Sequence, residues 1–516
     1  MIWHNTKKEI LTKILDFRFI ISNVIALLLI ILSTVILSEQ YLKQVEEFNE
    51  FVRSDEEALN DVKVFSQLRL NVHRPPNPLS IFNKGVSKQV DTSMRIRHTW
   101  VPRQEAETRT ENPFMNIFQH FDLTTIFQIV LSLLAILLVY DSISGEREEG
   151  TLKAMLSYSV ARYEILTSKL VASLMGLAIP IFMSFLVSYL IMLTVYGITF
   201  DGEQWIRIGL IILSTFIFLG FFVTAGLLVS SLVRSASISL IWLTFIWVVT
   251  IVIQPNLGSY LASTVVSIPP REKIDSAEDQ VWTEMDKKIE QLENEIREEV
   301  PGGAWHSNHS DGDAYYHCFD GNRVALLRYV LRTQRMQPLI TEYAEREWQV
   351  YQAEYNEYLN RQLFYQNLFD KMSPAALFAR MTASLSQTDI SHYETFLDQA
   401  RTHRQSYLSY LLNDRKVFSE NANLYFCRQT MDQIENSDYD ERLEKAGGPG
   451  KKMESFGPED YPALDLTDLP EFNLKYPSVI QSIRFILLDL GILICISLIL
   501  FYLCAISFNR YDVRAN

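Results

Sequence analysis

Six stretches of the chain are apolar almost without interruption: Phe19–Leu37, Leu123–Tyr140, Leu170–Val195, Ile208–Leu232, Ile238–Leu257 and Ile483–Ile506. A helix rises 1.5 Å per residue, so a hydrocarbon core of about 30 Å needs about 20 such residues, and each run meets that length. The pattern predicts an all-α membrane protein with six transmembrane helices. The first run is long for a signal-peptide core and no Ala-x-Ala-like site follows Leu37-Ser38-Glu39, so it reads as a retained helix. Ahead of it, Trp3, Ile10, Ile14 and Phe17 recur at helical spacing against Lys7, Lys8 and Lys13. That alternation predicts an amphipathic helix over residues 1–18, lying in the membrane interface.

The segments between the spans divide unequally. A first loop covers 38–122, a connection between the second and third spans covers 141–169, a large insert covers 258–482, and a tail follows from 507 to 516. The insert has helical grammar. Val281, Met285, Ile289, Leu292 and Ile296 step by threes and fours up to a stop at Pro301-Gly302-Gly303. A second helical run from Asn322 meets Pro338, read as a kink or restart. It then carries Trp348, Tyr351, Tyr355, Tyr358, Tyr365 and Phe369 along one stripe, expected to pack against the first helix. Gly447-Gly448-Pro449-Gly450 and the Pro-rich stretch to Pro477 read as a linker returning the chain to the membrane.

Charge orients this arrangement. The net charge is −14, and the stretch from Ser259 to Ile480, with 23 Lys+Arg against 37 Asp+Glu, accounts for all of it. No basic cluster with interleaved aromatics occurs, which excludes a nucleic-acid binder. Lys7, Lys8, Lys13, Arg18, Arg147, Lys153, Arg162, Lys169, Arg234, Arg510 and Arg514 all flank one side of the predicted bundle. The positive-inside rule makes that side cytoplasmic, with both termini inside and the first loop and the insert outside.

The most specific motif lies in the inner connection: Asp141, then Gly145-Glu146-Arg147-Glu148-Glu149-Gly150-Thr151-Leu152-Lys153, then Leu156-Ser157, Arg162 and Lys169. Two spans move as a unit only if something at their ends is gripped. Gly145 and Gly150 bracket a short charged helix, and its mixed charges suit a partner surface. The segment resembles the cytoplasmic coupling loop of ABC-2-type ABC transporter permeases, with Ser159 where that family has proline. Ser373-Pro374-Ala375-Ala376-Leu377, Thr388-Asp389 and His392-Tyr393 with Phe396 resemble the subgroup related to nitrous-oxide-reductase maturation permeases. The resemblance implies a multi-pass, non-catalytic permease subunit of an exporter in a bacterial inner membrane. It also implies that a dimer of ABC ATPase subunits carries ATP and Mg, and that the second permease is either the same chain or a paralogue. The residues it assigns to ATPase coupling are Asp141, Gly145, Glu146, Arg147, Glu148, Gly150, Thr151, Leu152 and Lys153.

Other residues leave alternatives open. Gly450-Lys451-Lys452 lacks the earlier glycine and the final hydroxyl of a P-loop, so the energy source must be another chain. His306, His309 and His317 crowd together with Asp311, Asp313 and Cys318, but their spacing matches no standard metal pattern, and a polar loop is the better reading. Cys318 and Cys427 could pair or stay free. Asp489, inside the sixth run, either pairs with a polar group on a neighbouring helix or lines a translocation path, since a charge in hydrocarbon is costly. The competing function is mechanotransmission, in which the outer helices move a partner and nothing crosses the bilayer. A membrane-anchored metalloenzyme requires the histidine cluster to bind metal.

Overall fold

The computed structural model describes residues 2–85, 92–103, 122–157, 161–302, 307–311, 314–318, 323–418, 425–426 and 462–510. Helix α1 (Ile2–Ile14) lies against the start of the third span, and six apolar helices follow. The spans are Phe17–Asn60, Leu123–Glu148, Arg162–Thr194, Gly202–Leu232, Ala236–Val265 and Val479–Asn509, all long and apolar enough to cross a bilayer. Together they make an all-α, multi-pass membrane protein. The second and fourth spans are the most buried, 67% and 61% of their apolar windows, so they form the centre of the bundle. The fifth and sixth, at 17% each, leave most of their apolar surface facing outward. We call the bundle end with the 141–157 connection the base, and the opposite end the crown.

The first span is far longer than its apolar run. Its helix continues from Ser38 to Asn60, and those residues contain no glycine or proline and several good helix formers. Pairs one turn apart, Lys43 with Glu47 and Arg53 with Glu57, line the extension. Beyond it, β1 (Leu70–His73) and β2 (Ser93–Ile96) form an antiparallel hairpin. The fifth span passes through Pro255 without ending. A π-turn at Val249–Ile253 precedes the proline, and widening the helix there accommodates the ring and its missing N–H.

From the fifth span the chain rises as α4 (Arg271–Glu299), turns at the strands β3 (Ser307–Asp311) and β4 (Ala314–Cys318), and comes back as α5 (Arg323–Tyr351). The residues of β3 and β4 pair antiparallel. After a π-turn it continues as α6 (Glu357–Asp370), which packs along the crown end of the fifth span. Helix α5 runs through Pro338 without a break, so of the kink or restart expected there the restart does not occur. Helices α4 and α5 are antiparallel partners, joined by Arg332–Glu293 at 2.8 Å, Arg335–Glu299 at 2.7 Å and Tyr343 Oη–Glu284 at 2.9 Å.

At the foot of this stalk Trp348 and Tyr351 are buried with Ile274 of α4 and Val101, and Tyr355 is partly covered. Farther along, Tyr358, Tyr365 and Phe369 are only half-buried. Trp348→Ala removes a ring stacked on Tyr351 at 5.6 Å and should destabilise the stalk by about 3–5 kcal/mol. Thermal unfolding of the purified protein checks this, and a wild-type melting curve would show that the indole is not core.

Among the described residues two further helices belong to the crown: α7 (Pro374–Leu385) and α8 (Ile390–Ser409). Ser373 caps α7 with proline in its first turn, a standard start signal. Helix α7 does not sit on the surface. It packs between the fourth and sixth spans, and Phe378 stacks on Phe218, midway along the fourth span, with ring centroids 4.4 Å apart. It is therefore a re-entrant helix, tolerated at that depth because protein surrounds it. Helix α8 and the β1–β2 hairpin bury a separate core of Val72, Met94, Ile96, Tyr393, Phe396 and Leu397 above the bundle.

Candidate functional site

The residues singled out by motif converge at the base. The helix of the second span breaks after Val139, turns through residues 140–143 and restarts as α2 (Ser144–Glu148), the last part of that span. A restarting helix leaves N–H groups without intrahelical partners. Ser230 of the fourth span supplies them: its hydroxyl accepts from the N–H of Ile143 and of Ser144, both at 3.0 Å. Gly150, at φ +76°, then reverses the chain into α3 (Thr151–Ser157), a left-handed turn that glycine makes without strain. At Gly145 the constraint is space, since an added Cβ would lie 3.2 Å from that of Asp141.

Each charged residue of α2 reaches a different helix. Glu146 accepts from the Lys169 ammonium at 2.6 Å, and Lys169, 1% exposed on the third span, also donates to Glu9 of α1 at 3.0 Å. Arg147 donates to the carbonyls of Val233 and Ser231 at 3.0 and 3.2 Å, closing the C-terminal end of the fourth span, where a cation is favoured. Glu148 accepts at 3.1 Å from the N–H of Ala236, the first residue of the fifth span.

Around this hub Lys13 donates to Ser173 at 2.6 Å and to Ser142 at 3.2 Å, and Arg18 of the first span donates to the Tyr140 hydroxyl. Burial, reinforced by the like charge of Lys169, pulls the Lys13 ammonium down to about 8. Arg162 ties the third span to the sixth through the carbonyls of Phe508 and Asn509 at 3.1 and 2.6 Å.

The sequence alone offers the charges of Glu146, Arg147, Glu148 and Glu149 to a partner. Instead, Glu146 and Arg147 turn into the bundle, Glu148 is exposed yet bonded to the fifth span, and Leu152 is fully buried. The surface left outward is Glu149, Gly150, Thr151 and Ala154, with Lys153 half-exposed beside it. A cleft of about 730 Å³ opens between α1 and this segment, lined among others by Lys13, Asp16, Asp141, Gly145 and Glu149. These bonds tie α2 to the third, fourth and fifth spans and, through Lys169, to α1. Ser230 and Glu9 escape a sequence reading, since nothing local marks a serine in an apolar span or a lone acid among lysines. Lys169 is marked only by its place in the motif.

Asp489, 4% exposed in the sixth span, pairs with Arg380 of α7, whose Nε and Nη2 both donate to its carboxylate, the former at 2.8 Å. Arg380 also reaches Asn367 Oδ1 at 3.0 Å. The backbone register pairs His309 with Tyr316 and His317 with Asn308, so these histidines are not cross-strand partners. His306, Asp313, Cys427, Ser159 and the Gly447–Gly450 linker lie outside the described residues. Among the described residues no group of three His, Cys, Asp or Glu side chains is arranged to hold a metal ion.

Comparison with known proteins gives one family. A family model described as ABC-2 family transporter protein matches residues 3–315, which is more than half of the chain and contains α1, the first five spans and the whole 141–157 hub. No curated protein matches the chain.

Proposed function

The chain belongs to the ABC-2 family of transporter proteins and is a permease subunit of an ABC transporter; from that premise we propose that it exports its substrate, driven by an ATPase that docks on the 141–157 segment. The observation that carries this reading is the division of labour within that segment. Side chains of residues 142–148 bind α1 and the third, fourth and fifth spans, while Glu149, Gly150, Thr151 and Ala154 are exposed, with Lys153 half-exposed beside them. ATP and Mg bind the partner, whose closure presses α2 and biases the spans between two arrangements.

In this proposal both termini and the base are cytoplasmic, the stalk and α8 lie outside the inner membrane, and a second permease, identical or paralogous, packs on the apolar faces of the fifth and sixth spans. The likeness to nitrous-oxide-reductase maturation permeases is part of the same reading. It is supported by the burial of Pro374, Ala375, Leu377, Tyr393 and Phe396, the motif positions that build α7 and α8. One observation favours mechanotransmission as a second reading: α6 packs along the crown end of the fifth span, so span movement would reach the stalk.

The test is charge reversal on the outward face. Glu149→Lys with Lys153→Glu should weaken ATPase co-purification, since like charges set against each other cost several kcal/mol. Neither residue is part of the internal network, so melting of the permease should stay unchanged. Undiminished co-purification would remove the segment from its role.

A further inference from the structure

Three buried arginines stand out among the described residues: Arg74, Arg207 and Arg404, at 9%, 1% and 1% exposure. Arg207 donates to Ser482, to the Pro477 carbonyl and to Glu203. Arg404 donates to Glu345 and to the carbonyls of Arg97 and His98. Arg74 differs. Its backbone N–H bonds Thr92 O at 2.7 Å, and its guanidinium lies over the Tyr393 ring, 5.8 Å from the centroid. Among the described residues no oxygen accepts a hydrogen bond from that guanidinium. Its nitrogens are not among the fully buried ones and so meet the cleft, where a largely buried cation that no described oxygen holds can pair with an oxyanion that enters.

The cleft it lines holds about 80 Å³ and lies where the first-span extension, the β1–β2 hairpin and the turn between α7 and α8 meet. Among the described residues two carboxylates lie near it. Asp55 is held by His73 at 2.6 Å and Asn71 at 2.9 Å, and Glu47, on the rim, is half-exposed beside Lys43 at 3.8 Å. Tyr476 also lines the cleft, and burial pushes its hydroxyl up to about 12, so it remains a donor at neutral pH. The opposite wall is apolar and braced: Phe51 stacks on His73 at 6.0 Å and Phe48 meets the same ring edge-on at 6.3 Å. Guanidinium and phenol on one side and two phenyl rings on the other suit an oxyanion carried on an apolar or flat body.

Height separates the sources of such an anion. Gln44 and Phe51, which line the cleft, stand 7 and 14 residues past Leu37, the last residue of the apolar run. At 1.5 Å per residue that is about 10 to 21 Å, whereas the headgroup layer is only about 5–8 Å deep on each face. We propose that this cleft is a binding site for a small soluble phosphate or carboxylate, held by Arg74 and Tyr476 against Phe48 and Phe51. Thr388, at the turn that ends α7, lines the same cleft, so the cleft adjoins the segment that leaves the re-entrant helix.

The test is calorimetric titration of the full-length protein in detergent with inorganic phosphate and with acetate, at constant ionic strength. Wild type should bind at least one of them, Arg74→Gln should bind about tenfold or more weakly, and Arg74→Lys should fall between. Tyr476→Phe should also weaken binding, which keeps the proposal testable if Arg74→Gln fails to fold. In a parallel arm the protein is placed in nanodiscs of phosphatidylglycerol or of phosphatidylcholine. Phosphate binding blocked only by phosphatidylglycerol, and only when Arg74 is present, would keep the oxyanion site but assign its source to the bilayer. No binding by wild type in either arm, or equal binding by wild type and Arg74→Gln, would overturn the proposal.

Discussion

Lys169→Met is expected to detach α1 and α2 from the third span and to lower stability by about 3–5 kcal/mol, because removing one partner of a buried ion group strands the others. Glu9 and Glu146 are each only about one-fifth exposed and share a single ammonium, so without it two carboxylates face each other. Melting of the purified permease should fall, and ATP hydrolysis by the assembled complex should lose its dependence on the permease. The neutral triple variant Glu9→Gln, Glu146→Gln, Lys169→Met should recover most of the stability, since no charge is then left buried. A Lys169→Met protein that melts like wild type would show that the network is ornamental.

Arg380→Leu is the second large expected effect, again about 3–5 kcal/mol. The two partners differ in exposure, 6% for the Asp489 side chain against 27% for Arg380, and that difference sets an order. Losing Arg380 strands the deeper carboxylate in the sixth span. Losing Asp489 leaves an arginine that still has Asn367 and some solvent. Arg380→Leu should therefore be more damaging than Asp489→Asn, and the double variant Arg380→Leu, Asp489→Leu should be milder than Arg380→Leu alone. Thermal denaturation of the three proteins decides it: effects that simply add would mean that the pair does not hold α7 in the bundle.

The spans were legible because length and hydropathy are local properties, and each of the six runs falls on one of six apolar helices, the third overrunning its helix by one residue. The hub was legible as a motif but not in its geometry. Charges in a short polar segment read as surface, and only the fold reveals that Lys169, Ser230 and Ala236 lie where Glu146, Ser144 and Glu148 point. The first-span extension was hidden because the apolar pattern stops at Leu37 while helix propensity continues to Asn60. Helix α7 was hidden for the opposite reason. Pro374–Leu385 is too short to read as a span and carries an arginine, so it resembles a soluble amphipathic helix. Its partner for that arginine lies 109 positions away, a pairing no local pattern encodes. Arg74 gave no signal either, because a lone arginine after a strand is ordinary until its surroundings are known.

In the proposed function the outward face of residues 149–154 receives an ATPase. A photo-crosslinking residue placed at Glu149 or at Ala154, in membranes of cells making the protein with its native partners, tests it most directly. The expected product is a covalent complex whose second chain carries Gly-x-x-x-x-Gly-Lys-Ser/Thr, formed from both positions and not from Phe364 on α6, which is exposed at the other end of the bundle. Crosslinks from Glu149 and Ala154 that capture only lipid, or the same ATPase captured from Phe364, would contradict the account.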